Sequence, residues 1–418
     1  MPMPQGLTGG GRRVVLTGMG AISALGLTRE ANWAAARAGK GGIAAHVFDP
    51  GPTGPDRQTF LAALAGDDIL TSAEAAIGRP VGGTLDLFSL FALVVAKAAL
   101  DQAGLIGAAA LARRTAVVFG HGFAGIHTLD GAYQRFYGAR NARLHPLTIP
   151  KVMVSAPVSA IAMAFGIRGP VFAVSSACAS SGHAIAQGAA MIAAGQCDIA
   201  LVGGSEAIAT PGCMAAWQGL QALSPTACRP FSAGRDGMVV GEGGAALVLE
   251  AEDCARARGA TILAELAGIG LSSDAFHWTQ PSLDGAVSAI AAACEQAGIL
   301  EAENILIAAH GTGTALNDKN EAAAIHAVFG ARGKTHPVIA TKSAHGHLIG
   351  ASTALQAVIG LCALAEGQAP PILGWLGPDP DCDLDLVLGE ARAIQSEALL
   401  LNAFAFGGLN TSLVFKRR

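Results

Sequence analysis

Cysteine and histidine most readily supply a nucleophile and a neutral ring that carries or donates a proton near pH 7. This 418-residue chain sets one cysteine and two histidines among glycines and hydroxyls. An apolar run over 171–175 leads into Ser176-Ala177-Cys178-Ala179-Ser180-Ser181-Gly182, so a strand ends in a turn with its thiol at the start of a helix. Unpaired N–H groups and the helix dipole there favour thiolate. The small residues after Cys178 leave room for an acyl group. A run over 305–309 precedes His310-Gly311-Thr312-Gly313-Thr314, and a run ending at Thr341 precedes Lys342-Ser343-Ala344-His345-Gly346-His347. Both histidines thus follow the carboxyl ends of strands, where α/β proteins assemble ligand sites. The chain closes on Asn402-Ala403-Phe404-Ala405-Phe406-Gly407-Gly408-Leu409-Asn410, read as a flexible glycine turn with two large rings. A thiol hydrolase would want one histidine beside a carboxylate or amide. Two histidines suit a different task, holding the enolate oxygen left when a carboxylate departs as carbon dioxide. His183, beyond the nucleophile, reads as structural.

The elements that would position these groups alternate. Strand-like runs occur at 14–17, 115–119, 171–175, 199–202 and 245–249, with helical stretches around 29–38 and 181–195 between them. A second series follows at 262–266, 305–309, 338–341, 384–388 and 412–416. Two successive sets of strands and helices predict an α/β protein of two similar halves joined near 250–260. Gly18-Met19-Gly20 after the first strand is a weak dinucleotide signal, lacking the third glycine and the later acidic residue, and reads as a tight strand-to-loop turn.

The landmarks Gly166-Ile167-Arg168-Gly169-Pro170, Val202-Gly203-Gly204-Ser205-Glu206 and Arg229-Pro230-Phe231 occur in order. Arg235-Asp236-Gly237, Gly241-Glu242-Gly243 and Asp274-Ala275-Phe276-His277 follow them. With the three candidate site segments, these resemble the elongating β-ketoacyl-acyl carrier protein synthases (ketosynthases) of the thiolase superfamily, over nearly the whole chain. The resemblance implies an α/β, thiolase-like five-layered α-β-α-β-α fold of two duplicated halves. Residues 12–255 would carry the nucleophile, and 256–418 both histidines and the glycine-rich gate loop.

It also implies decarboxylative condensation of an acyl primer with malonyl-acyl carrier protein. Cys178 would hold the primer, and His310 and His347 would bind the malonyl thioester carbonyl. Lys342 would structure the histidine pair, with Glu321 as its acidic partner and Asn410 in support. The backbone N–H groups of Cys178 and Phe406 would form the oxyanion hole. Phe404, Ala405, Phe406, Gly407 and Gly408 would form the gate, and Thr279, Thr312 and Thr314 would contact phosphopantetheine. That group would arrive on the acyl carrier protein; no metal or resident cofactor is implied. The expected assembly is a homodimer, with a heterodimer of related ketosynthase-like subunits as the alternative.

Three positions invite comment. Relatives carry Gly-Phe-Gly-Gly where this chain has Ala405-Phe406-Gly407-Gly408, so Ala405 predicts a stiffer gate. Phe123, in Gly120-His121-Gly122-Phe123-Ala124-Gly125, would shorten or turn the acyl pocket. His345 is either a third ring acting on the site or one that faces away. Three rivals remain: a chain-length-factor subunit, which typically lacks the nucleophile; a thiolase, which carries a second cysteine near the C-terminus, whereas none follows Cys382; and an acyl-binding scaffold.

The chain is 51% hydrophobic and 14% charged, with 55 glycines and a formal charge of −4, which suits a large packed core and excludes a basic nucleic-acid face. The low charged fraction fits a surface covered by a second subunit. The stretch 351–365 is apolar but interrupted by Ser352, Thr353 and Gln356, so it reads as a buried helix rather than a membrane span. Eight scattered cysteines with no CxxC pair indicate neither a disulfide framework nor a zinc knuckle. The first twelve residues read as a frayed tail of a cytoplasmic protein.

Overall fold

The strand Val14–Ile22 lies at the centre of a ten-stranded sheet. In the computed structural model, which describes residues 11–51, 54–66, 68–108, 110–139 and 143–418, it continues through Gly18 and Gly20, with a register shift between Leu16 and Gly18. A Cβ on these two glycines would lie 2.1 Å from the Ala99 carbonyl oxygen and 2.3 Å from that of Val95, both on the helix Leu87–Gln102. Close helix packing therefore explains this glycine pair, not the expected turn. Residues 1–10 of the expected tail lie outside the described residues, while Arg12 is already fixed by ion pairs to Asp198 and Asp253.

Across the sheet the order is Val338–Ile339, Leu306–Ala308, Ala398–Ala405, Leu409–Arg417, Ala264–Ser273, Val14–Ile22, Gly243–Ala251, Ile199–Glu206, Thr115–Gly120 and Val171–Val174. The two halves meet where Val15 pairs with Glu265 and Leu16 with Ala264, antiparallel. Outward from that seam, each half runs through its own first, fifth, fourth, second and third strands. This repeated order is the duplication that element order alone suggested.

Two readings need correction. Residues 384–388 form no strand; Leu386 and Leu388 make only isolated bridges to Val338 and Ile372. The fourth strand of the second half is instead Ala398–Ala405, buried along its length and apolar except for Asn402. Such an unbroken run belongs to a strand covered on both faces. The turn read over 402–410 is therefore a hairpin, in which Ala405 pairs with Leu409.

The helices Ser180–Ala193 and Ser352–Glu366 pack on one another and touch strands of both halves, forming the middle layer. Leu87–Gln102 and Ala156–Phe165 cover the outer face of the first half; Leu283–Ala297 and Ala315–Phe329 cover the second. The result is the five-layered α-β-α-β-α arrangement. Residues Ile349–Glu366 are long and apolar enough to cross a membrane by length and composition, but they form this buried middle layer.

Candidate active site

The nucleophile sits on a strained turn. After the strand Val171–Val174, Ala177 adopts φ = +50°, a left-handed conformation unusual for a residue with a Cβ. Ser180 at the head of the next helix holds it: its hydroxyl donates to the Ala177 carbonyl at 2.6 Å and accepts the Ser176 N–H at 2.8 Å. Cys178 is 6% exposed and stands just before the helix, as expected. Its thiol is nevertheless pushed up to about 11, because burial outweighs the opposing pull of Lys342 and the Phe406 amide. The helix terminus alone does not make a resting thiolate here.

His310 is positioned through its backbone. Its N–H and that of Gly311 donate to the two oxygens of buried Glu321, at 2.8 and 2.9 Å, and Asn402 donates to the same carboxylate at 3.2 Å. The Lys342 ammonium, fully buried, donates to the His310 carbonyl at 2.5 Å and to Gln356 Oε1 at 2.6 Å, and faces His310 Nδ1 at 3.4 Å. Glu321 is thus a clamp on amides rather than a bonded ion partner of Lys342. Burial lowers the lysine's pKa, while the Glu321 charge pushes it back up from a distance.

His347 is fixed by its own ring. The Ile349 N–H donates to Nδ1 at 3.1 Å, and Ser352 Oγ lies 2.6 Å from the same nitrogen. An amide can only donate, so Nδ1 is the bare nitrogen and Nε2 carries the proton. His347 Nε2 is buried with no partner among the described residues. At His310 the ammonium facing Nδ1 dictates the same tautomer. Burial first, then the Lys342 charge, holds both histidines well below their ordinary pKa, so both rings are neutral at pH 7.

The Cys178 sulfur and one ring nitrogen each of His310 and His347 all lie within 4.8 Å of one another. Zinc accepts such donors, but its histidine ligands pass their other N–H to an acceptor. Here each Nδ1 faces a donor. The trio is built to donate two N–H groups to an oxygen beside a thiol.

The trio opens into a cleft of about 350 Å³. Phe404, Ala405, Phe406, Gly407, Gly408 and Asn410 line one side. Thr279, Thr312 and Thr314 also line it, the last two joined hydroxyl to hydroxyl at 2.9 Å. Asn410 donates to Asp274 at 2.7 Å. The turn of this hairpin relies on Gly407 and Gly408, at φ +83° and +71°, whereas Ala405 needs no positive φ. The stiffness read from Ala405 therefore has no steric origin in this conformation. The Phe406 amide points at the Cys178 sulfur, lowering its pKa, as an oxyanion donor beside the nucleophile would.

Residues 11–255 match the family described as Beta-ketoacyl synthase, N-terminal domain, and residues 263–375 match its C-terminal domain. The chain belongs to the β-ketoacyl synthase family. It is 41% identical over 407 residues to Nodulation protein E of Rhizobium meliloti (strain 1021), covering 97% of this chain and 99% of that one. It is 34% identical over 413 residues to 3-oxoacyl-[acyl-carrier-protein] synthase 2 of Staphylococcus aureus (strain COL), covering 97% and 98%. Among solved structures, the ishigamide ketosynthase/chain length factor superposes with a TM-score of 0.90 at 33% identity, covering 98% of this chain and all of that one. With Cys178, His310 and His347 brought together, this synthase has the catalytic triad of a condensing enzyme that forms β-ketoacyl-acyl carrier protein.

Other expected residues fall differently. Phe123 is not among the residues that line this cleft. Trp217 lines it, its ring centre 6.2 Å from that of Phe123 and 6.3 Å from that of Phe406. His345 hydrogen-bonds Thr341 at 2.9 Å off the cleft and affects His347 only as a minor electrostatic neighbour, after burial and Lys342. His183 bonds to Ser176 Oγ and the Ala179 carbonyl, a structural role. Sequence reasoning missed Trp217 and Gln356 as parts of the synthase's site. Gln356 also donates to the Ala309 carbonyl at 2.5 Å, and its polarity inside an apolar helix was the available signal.

Proposed function

We propose that the chain condenses an acyl primer held on Cys178 with malonyl-acyl carrier protein. The Cys178 thiol attacks the primer thioester, its carrier thiol leaves, and the acyl group becomes a cysteine thioester. The malonyl carbonyl oxygen then lies between His310 Nε2–H and His347 Nε2–H. As the C–CO₂ bond breaks, its electron pair forms the enolate, whose oxygen charge these donors stabilise. The enolate carbon attacks the acyl carbonyl, whose developing negative oxygen meets the Cys178 and Phe406 amides. The S–C bond breaks and returns the sulfur. The observation that carries this reading is the gathering of two imidazoles, each with a donor facing Nδ1, around a buried thiol.

The phosphopantetheine arm of the carrier would thread the cleft past Thr279, Thr312 and Thr314. We assign the chain to the cytoplasm and place the boundary of its halves at 255/256. We further assign it a homodimer built on the unpaired edge strand Val171–Val174. Phe172, Tyr137, Ile149, Met153 and Met163 are exposed nearby in sequence, and an apolar surface of this kind usually covers a partner. The ishigamide ketosynthase/chain length factor makes a heterodimer the outcome to test against.

The test combines intact-protein mass spectrometry after incubation with acyl-carrier protein and product analysis after adding malonyl-carrier protein. A Cys178-acyl adduct that is elongated by two carbons supports the reading; absence of both adduct and product sinks it. Solution mass, alone and with co-expressed ketosynthase-like subunits, decides the assembly.

A further inference from the structure

The geometry points to Ser352 as a positioning residue that holds His347 as an Nε2–H donor and strengthens that donor. Ser352 is fully buried and opens the middle-layer helix Ser352–Glu366. Its hydroxyl reaches His347 Nδ1 at 2.6 Å, closer than the Ile349 amide at 3.1 Å. Because the amide fixes Nδ1 as the acceptor, the serine must donate to it too. Two donors on one nitrogen withdraw electron density from the ring. They also leave no lone pair for a proton, so Nδ1–H and the imidazolium are both disfavoured. The opposite edge, Nε2–H, has no partner among the described residues, and the ring lies in the Cys178–His310 cluster.

Strain supports the assignment. Ile349 takes φ = +41°, a conformation that a β-branched side chain resists, and so aims its amide back at the imidazole. The helix start is also tied to the nucleophile. Thr353 donates to the Cys178 carbonyl at 3.3 Å, and the Ala354 N–H donates to Ser181 at 3.1 Å. Ser352 is therefore set in register with the sulfur, and the His347 N–H it supports has a fixed relation to the reacting carbonyl. This assignment rests on the condensing chemistry proposed above.

The test uses the full-length protein and separates tautomer from activity. Two-bond ¹H–¹⁵N spectra of ¹⁵N-histidine-labelled native protein, assigned with His347→Gln, should show His347 protonated on Nε2. In Ser352→Ala the bare Nδ1 resonance should move to lower field as one donor is lost. Malonyl-carrier protein decarboxylation should fall roughly tenfold, as expected for one weakened hydrogen bond to developing charge. Acylation of Cys178 should stay at the native rate. Ser352→Thr, which restores the hydroxyl, should recover decarboxylation. If the alanine variant does not accumulate folded, Ser352→Cys keeps the volume with a weaker donor and should give a smaller loss. A native Nδ1–H tautomer, a native decarboxylation rate in Ser352→Ala or Ser352→Cys, or equal losses in both half-reactions would overturn the assignment. A native protein that decarboxylates nothing would instead sink the proposed function, and the tautomer spectrum would still judge Ser352.

Discussion

The imidazoles of His310 and His347 meet edge to face, with ring centres 5.5 Å apart at 83°. Their Nδ1 atoms face different donors, the Lys342 ammonium and the Ile349 amide. Two N–H groups therefore approach one site from different directions. A single histidine activating a thiol would need the opposite polarity, a bare nitrogen turned toward the sulfur.

Replacing either His310 or His347 with alanine should cut malonyl decarboxylation by roughly a hundredfold or more, the usual cost of losing one donor to a developing oxyanion. Self-acylation at Cys178 should persist in part. Carbon dioxide release and intact mass, measured on the same variant, separate the two. Native carbon dioxide release would remove that histidine from the mechanism.

Cys178→Ala should abolish acyl transfer and condensation, because no other side chain at the site can hold the primer. Decarboxylation should continue, since both N–H donors remain. Elongated product from this variant at an appreciable rate would refute the nucleophile.

The buried thiol has a pH signature. With its pKa pushed up to about 11, the neutral form dominates at pH 7, and the thiolate fraction grows as pH rises toward that value. Alkylation of Cys178 by iodoacetamide should accelerate by roughly tenfold per pH unit between pH 7 and 10. A plateau near pH 7 would mean that the helix terminus and Lys342 overcome burial.

Gate mobility should be sensitive at Gly408 and insensitive at Ala405. A Cβ on Gly408 would lie 2.4 Å from that of Asp274, in a backbone conformation that itself costs about 1–2 kcal/mol for an L side chain. Gly408→Ala should therefore slow single-turnover condensation, and Ala405→Gly should leave it near native. The reverse order would show that another loop conformation limits the rate.

Primer length should be read by Trp217 before Phe123. The indole lines the cleft and the Phe123 ring touches it without lining the cleft, so Phe123→Gly should extend the accepted length only modestly, while Trp217→Ala should extend it more. A hydrophobic pocket discriminates by ~1–3 kcal/mol per methylene when space is lacking. Competition among saturated primers of increasing length checks the ranking; a larger gain from Phe123→Gly would place the pocket wall there.

The local signals in this chain were strong. Small residues around Cys178 and glycines after two strands mark the nucleophile and both histidines, because each is a property of neighbouring residues; the five-layered fold comes from the family resemblance that the ordered landmarks carry. The strand Ala398–Ala405 escapes the sequence reading, which gives 398–401 no element and 402–405 to a turn, since a run buried on both faces lacks the alternation that marks a half-exposed strand. The Gly18–Gly20 pair was misread because its cause, the carbonyls of Ala99 and Val95, lies some eighty residues away along the chain.

The sequence by itself thus determined which groups could react. Tertiary structure decided their protonation and aim. Burial raised the thiol and kept both imidazoles neutral; Ile349 and Lys342, facing Nδ1 of the two rings, left Nε2 to carry the proton; and Trp217, not Phe123, lines the cleft. Desolvation and hydrogen-bond direction depend on neighbours brought from distant parts of the chain, and no local pattern of residues encodes them.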